Sequence, residues 1–319
     1  AGWETRKSIA DRDGAAFLRG PTVHEAAMEL ETLPPPDAGP IFTAAAAAFA
    51  KALNIDAAPA APDLTAAIFR LPLFVRIAAL AAVEKQPAAK TETGLLDWAL
   101  DREDRLTAQY GGYPEDRDKR AVADAAALAT LTGGAPDRDG ALALLRRLRD
   151  YAQETEERYL DWLKRLHPGP GELNPLTPDR LGEHLADRQL TKAGDSGGKL
   201  LAAALGDAAT AEEKASTLTV LVRLASAAPE CGAKWLNAAL SRFKDGLGDA
   251  ALASVFGLPK QTLALREVAA AFTQLALDTA RRGAQPDDIE RQNLIAGLAN
   301  NLSVRLTDIG RLEEALDAS

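Results

Sequence analysis

The sequence predicts a mainly α-helical protein, and three observations carry that expectation. Hydrophobic residues make up 47% of the 319 residues but aromatic residues only 5%, so the apolar content leans on alanine, the strongest helix former. Apolar residues recur at spacings of three and four along much of the chain, the period of one helix face. An all-β sandwich would need strands rich in β-branched and aromatic residues, which this composition does not favour. The 24 glycines and 18 prolines are ordinary for the length, which excludes collagen-like and wholly disordered chains. The length allows about two domains with a sizeable core of Leu/Ala packing.

The elements follow in order. Trp3–Ile9 opens a short helix, and His24–Leu30 leads into a short extended segment ending at Leu33. Pro34-Pro35-Pro36 stops regular structure, because proline lacks the N–H and fixes φ. Ile41–Leu53 is a strong helix, with Phe42, Phe49 and Leu53 on one face. A linker with Pro59 and Pro62 follows. Leu64–Phe69 starts a helix that Pro72 interrupts, and Leu73–Glu84 resumes it with Leu73, Ile77 and Leu80 in line. Leu95–Leu106 is the next helix, and YGGYPEDRD breaks the chain at 110–118. Short helices are expected at Arg120–Leu131, Gly140–Leu148 and Tyr151–Leu166. HPGPGELNPLTPD is a turn or wing. Thr177 reads as an N-cap with Pro178 at the first helical position, opening Asp179–Leu190. The string KAGDSGGK is a glycine-rich linker. Thr210-Ala-Glu-Glu213 is a capping box ahead of Leu218, Leu221, Val222 and Ala225. Trp235, Leu236, Ala239, Leu240 and Phe243 form the next face. Leu265, Val268, Ala269, Phe272 and Leu275 form another, and Leu294, Leu298 and Leu302 line the last long helix. Repeated helices with short turns predict an array of α-hairpins over 200–319.

Charge and cysteine usage exclude several classes. The net charge of −9 and pI of about 5.1 lack the basic footprint of a nucleic-acid-binding domain. Cys231 is the single cysteine, so an internal disulfide framework and a Cys-rich zinc site are excluded, and a reducing, cytoplasmic setting is expected. The longest apolar stretch, Leu64–Val83, contains Arg70, Pro72 and Arg76. Such charges are costly at bilayer depth, so no membrane span is read there. The start AGWETRKSIADRDG has no apolar segment of the signal-peptide kind. Ala1 stands where a methionine would begin a chain, and Ser319 falls within a helix, so a piece of a longer protein is expected.

The segment GLANNLSVRLTDIGRLEEALDAS resembles a tetratricopeptide repeat. Ala299 is its small residue, Asn301-Leu302 its N-L pair, Leu306 the bulky residue four positions on, Gly310 the turn, and Glu314-Ala315 the E-A of the second helix. Leu302 and Leu306 lie one turn apart, Gly310 permits a tight turn, and Ala315 lets two helices approach. A repeat of about 34 residues cannot bury its own face alone, so further repeats are expected downstream. With the stripe Leu294, Leu298, Leu302 and Leu306 partly uncovered, self-association through this end is expected.

A longer resemblance covers FRLPLFVRIAALAAVE, LLDWALDREDRL, AALATLTGGA and YLDWLKRLHPGPGELNPLTPDRLGEHLADRQL. These blocks, in this order, are similar to large actinobacterial signal-transduction NTPases of the STAND class, relatives of NB-ARC proteins. That resemblance implies a C-terminal remnant of a nucleotide-binding domain at 1–55, a helical domain at 60–110, a winged-helix-like domain at 111–190 and hairpin repeats at 200–319. It also implies that the parent protein uses ATP and Mg²⁺ and that the repeats bind proteins, while the acidic charge and the broken apolar stretch leave nucleic acid and membranes unexpected as partners. In the class, a G-x-P motif sets a proline near the adenine. The matching triplet is Arg70-Leu71-Pro72, with arginine in the glycine position, so Pro72 is either a nucleotide-contacting residue or simply the start of the following helix. Asp179 lies near the class's M-H-D position without its histidine, and a carboxylate at a helix N-terminus explains it equally well.

Catalytic signatures are absent from the sequence. GDSGGKL at 194–200 approximates a phosphate-binding loop, but Ala193 and Leu200 stand where glycine and Ser/Thr are required. His24, His167 and His184 have no second ligand at metal spacing. Asp101, Glu103 and Asp104 are interleaved with Arg102 and Arg105, which predicts a solvated, ion-paired face. Two functions remain: the regulatory, protein-interaction segment of a STAND-type NTPase, without enzymatic activity of its own, or a free-standing helical-repeat scaffold with no nucleotide link.

Overall fold

Helices cover most of residues 38–55, 59–110, 116–148, 153–177, 179–192, 196–259, 263–282, 284–285 and 287–318, the residues described by the computed structural model. The expected helix at Trp3–Ile9, the extended segment ending at Leu33 and most of the break after Tyr110 lie outside them. Among the described residues there are fourteen α-helices and no β-strand, only an isolated antiparallel bridge between Ala135 and Leu173. No helix among them is long and apolar enough to cross a membrane. The chain divides into two compact units, 1–98 and 99–319.

In the first unit, α1 (Ala38–Ala52) packs on α2 (Pro72–Val83). The buried face of α1 is Ala38, Phe42, Ala46 and Ala50. Of the face expected from Phe42, Phe49 and Leu53, only Phe42 is buried, and Leu53 is 40% exposed. A row of alanines at i+4 spacing lets the second helix approach more closely than three large side chains would allow. Leu64–Phe69 forms no α-helix. A single 3₁₀ turn, Ala67–Arg70, ends at Leu71, which is extended at φ −101° and ψ 120°. Proline excludes its predecessor from the α region, so α2 starts afresh with Pro72 in its first turn, where no amide hydrogen is needed. Phe74, Val75, Ile77, Ala78, Ala79, Ala81 and Val83 are all buried, so α2 is enclosed nearly all round. The next helix, α3 (Glu92–Tyr110), contains the division between the two units.

The second unit is built on α4 (Asp116–Thr132), α7 (Asp179–Thr191) and α9 (Ala211–Ala227), which pack on one another, with α8 (Ser196–Leu205) against all three. Two shorter helices, α5 (Arg138–Arg146) and α6 (Gln153–Leu166), flank α4. Between α6 and α7 the chain forms a strap rather than a β-hairpin. The Asn174 amide ties it: Nδ2 donates to the His167 and Gly171 carbonyls at 3.1 and 3.0 Å, and Oδ1 accepts from the Gly171 N–H at 3.0 Å. The Ala135 N–H donates to the Leu173 carbonyl at 2.8 Å, and the Leu176 N–H donates to Thr130 Oγ1 at 3.1 Å. Gly134, at φ +81°, lies so close that a Cβ would fall 2.2 Å from the Leu173 carbonyl oxygen. The wing expected at 167–176 is thus one bridge and a side-chain clamp.

The string read as a glycine-rich linker also departs from expectation. Ser196-Gly197-Gly198-Lys199 is the first turn of α8. Gly197 is required by proximity, since a Cβ there would sit 2.1 Å from the Leu190 carbonyl oxygen at the end of α7. Hence Gly197 serves close approach rather than flexibility.

The remaining helices pack on their neighbours. The capping box forms: the Glu213 N–H donates to Thr210 Oγ1 at 3.2 Å and the Thr210 N–H to Glu213 Oε2 at 2.7 Å. One residue, Ala228, joins α9 to α10 (Pro229–Phe243), which turn back on each other. Gly232 of α10 lies against Ala225, where an added Cβ would be 2.2 Å from the Ala225 Cα. Next, α11 (Gly248–Ser254) packs between α9 and α12 (Arg266–Arg282). α13 (Ile289–Asp308) and α14 (Leu312–Ala318) close the array, with α13 packed on both α12 and α14. Two arginines cap this end crosswise: Arg291 at the start of α13 donates to the Ala280 and Thr279 carbonyls of α12, and Arg266 at the start of α12 donates to the Asp308 carbonyl of α13.

Gly232→Ala forces the α9–α10 pair apart and should cost about 1–3 kcal/mol, the range for overpacking. It should lower the urea midpoint at unchanged slope. Gly310→Ala meets no neighbour but retains φ +78°, and should cost only about 1 kcal/mol.

Candidate functional site

Pro72, the one candidate cofactor contact, lies exposed in the first turn of α2, beside Leu71 at 43% exposure. Its missing N–H falls where a helix has no acceptor to offer, so its local role is complete without a ligand.

The acidic run on α3 is ion-paired, with a partner from another helix. Arg188 of α7 reaches Asp101 at 2.8 Å and Asp104 at 3.5 Å, and Arg102 lies 3.9 Å from Glu103. Asp101 and Asp104 are half or more exposed, so the bridge resembles a surface ion pair in strength, about 0–1 kcal/mol. Glu103 and Asp104 also border a small cleft with His167 and Leu176 of the strap, floored by Val122 and Ala126 of α4. Its volume is about 30 Å³, room for one or two waters. Burial pushes the Glu103 carboxyl up, with nearby Arg102 pulling it back, and burial lowers the His167 imidazole to about 4. Both groups therefore lean towards neutrality. Among the described residues no cluster of three His, Cys, Asp or Glu is placed to hold a metal ion. His184 is half-buried on α7, and His24 lies outside the described residues.

Sequence patterns do not reveal the junction formed around Asp187. This α7 carboxylate accepts from Trp235 Nε1 of α10 at 3.1 Å and from Thr191 Oγ1 at 3.4 Å. Burial, with Asp187 nearby, pushes the Cys231 thiol up, away from the thiolate that a nucleophile needs. Lys234 lies over the Trp235 ring at 4.3 Å. These are packing contacts between α7 and α10. Only the pairing of distant helices brings them together.

The positions behind the tetratricopeptide resemblance divide cleanly by burial. Ala299, Leu302, Leu306 and Ala315 are buried, while Asn301 and Glu314 are exposed. Gly310 takes φ +78°, and Ser303 Oγ donates to the Ala315 carbonyl at 2.8 Å, tying α13 to α14. The expected open stripe is largely covered: Leu298, Leu302 and Leu306 are buried and Leu294 half-buried. The large apolar side chains left exposed here are Ile289 (73%), Val304 (54%), Leu312 (60%) and Leu316 (77%). Their exposure marks the terminal hairpin as the candidate interaction surface.

Comparison with known proteins adds no relative: no protein family, curated protein or solved structure matches the chain.

The half-buried His167 has a measurable consequence. The unfolded chain binds a proton near the ordinary 6.5, whereas the folded chain resists it until about 4. Stability from this group is therefore full above pH 6.5 and falls as pH drops from 6.5 to 4, by at most about 3 kcal/mol. Urea melts of wild type and His167→Gln should show this loss in the wild type alone. Parallel pH profiles would count against it.

Proposed function

We propose that the chain is a non-enzymatic regulatory and protein-interaction segment of a STAND-type signal-transduction NTPase, in which helical hairpins couple nucleotide state to assembly. The observation that carries the interaction role is the terminal helix pair. Leu302, Leu306 and Ala315 face inward, Gly310 turns the chain, and Leu312 and Leu316 are left on the outside. The parent's link to ATP and Mg²⁺ rests on the resemblance of the upstream blocks. In this reading the winged-helix-like region is 111–190, and the setting is cytoplasmic.

A free-standing helical scaffold is the second reading. It is favoured by Arg70 in the glycine position of the G-x-P motif and by the exposed, locally explained Pro72. The coding sequence upstream of Ala1 separates the two, since paired Walker A and Walker B motifs there would establish the STAND parent.

Isothermal titration of the chain with ATP and Mg²⁺ should show no binding tighter than millimolar. Micromolar affinity, and its loss in Pro72→Ala, would instead make Pro72 a nucleotide contact and overturn the purely interactive role.

A further inference from the structure

The outward face of α13 carries no charge over most of its length. Its exposed positions from 292 to 307 are Gln292, Asn293, Ala296, Gly297, Asn300, Asn301, Val304 and Thr307. Charged groups stand at the ends, in Glu290 and Asp308, Arg291 is turned aside to cap α12, and Arg305 is half-buried to one side of the face. A solvated helix face ordinarily carries charged residues, and 26% of this chain is charged. At the two ends of the same stripe stand Ile289 and Val304, 73% and 54% exposed. At its centre, an added Cβ on Gly297 would meet nothing within 4 Å. The chain's own packing therefore does not need a glycine there, although glycine is unfavourable in a helix interior. A second helix crossing at close range would need it.

The order of residues along the stripe selects the occupant. Ile289, Asn293, Gly297, Asn300 and Val304 read nearly the same in both directions: a β-branched apolar residue, an asparagine, the glycine, an asparagine, a β-branched apolar residue. Their spacings of four, four, three and four keep them on one side of a helix. A two-fold axis makes residue i of one copy meet residue j of the other, and j meet i. Antiparallel crossing with the two-fold axis between Ala296 and Gly297 sets Ile289 against Val304, Asn293 against Asn300 and Gly297 against Ala296, twice each. An asparagine amide both donates and accepts, so two asparagines can pair where two like charges would repel.

We propose that α13 is a self-docking surface, through which two copies of this chain pair antiparallel about Ala296 and Gly297. This pairing deepens the reading of the hairpins as an interaction module and depends on it. The face is roughly 27 Å long and 10 Å wide, about 300 Å² per copy. The α13 face by itself is well below the about 800 Å² per partner of a stable complex, so the dimer is transient.

Sedimentation velocity of the full chain, from micromolar to millimolar, tests the pairing. A concentration-dependent dimer is expected, with Gly297→Lys raising its dissociation constant at least about tenfold at unchanged helicity. Disulfide trapping tests the register: C231S/G297C should cross-link across the axis under oxidation much faster than C231S/S241C, which places an equally exposed cysteine on α10. A wild-type monomer at millimolar concentration, a G297K dimer of wild-type affinity, or equal cross-linking rates would each overturn the pairing. None of these results would alter the ATP titration or the upstream reading frame, so the proposed function stands or falls separately.

Discussion

One carboxylate, that of Glu213, holds the junction on which the second unit depends. It accepts the Thr210 N–H and closes the capping box of α9. It also takes both ends of the Arg147 guanidinium, at 2.8 and 3.1 Å, from the residue that ends α5. Arg147 in addition lies 3.5 Å from the Ala203 carbonyl of α8. Both side chains are only 14% exposed. Removing one partner would leave the other charge half-desolvated, a far larger penalty than loss of an exposed pair. The helix started here is the hub, since α9 packs on α4, α7, α8, α10 and α11.

Around that hub the packing is governed by small residues. Gly197 and Gly232 stand where another helix leaves no room for a Cβ, and Gly182 lies within 2.6 Å of the Leu176 carbonyl by the same measure. Ala46 and Ala50 do the equivalent in the first unit. Close approach increases the dispersion contacts per unit length, which compensates for a core poor in aromatics. It also makes the fold sensitive to added methyl groups, since interiors at this density have little room to relax.

The polar and the apolar features of the second unit lie in different places. The cleft by the strap holds little more than water, and the polar groups around Asp187 and Arg188 are spent on helix pairing. Towards the C-terminal end, Ile289, Val304, Leu312 and Leu316 stay exposed among charged groups that include Glu290, Arg311, Glu313 and Asp317.

Local determinants were legible in the sequence. The Thr210–Glu213 box, the αL turn at Gly310 and the inward faces of α9, α10, α12 and α13 depend on residues within a turn or two of each other. Periodicity and capping chemistry report such short-range geometry directly. Where the sequence misled, a distant neighbour was responsible. The glycines at 197 and 198 resemble a linker until α7 is seen against Gly197, and the proline-rich strap resembles a wing until Asn174 and Ala135 tie it down. Pro72 was legible as a helix start but not as exposed. Tertiary structure alone decided which arginine meets Asp101, what Asp187 accepts, and which leucines of the last hairpin face water. Burial and ion pairing are properties of packed surfaces, and a single strand of sequence does not specify which surface meets which.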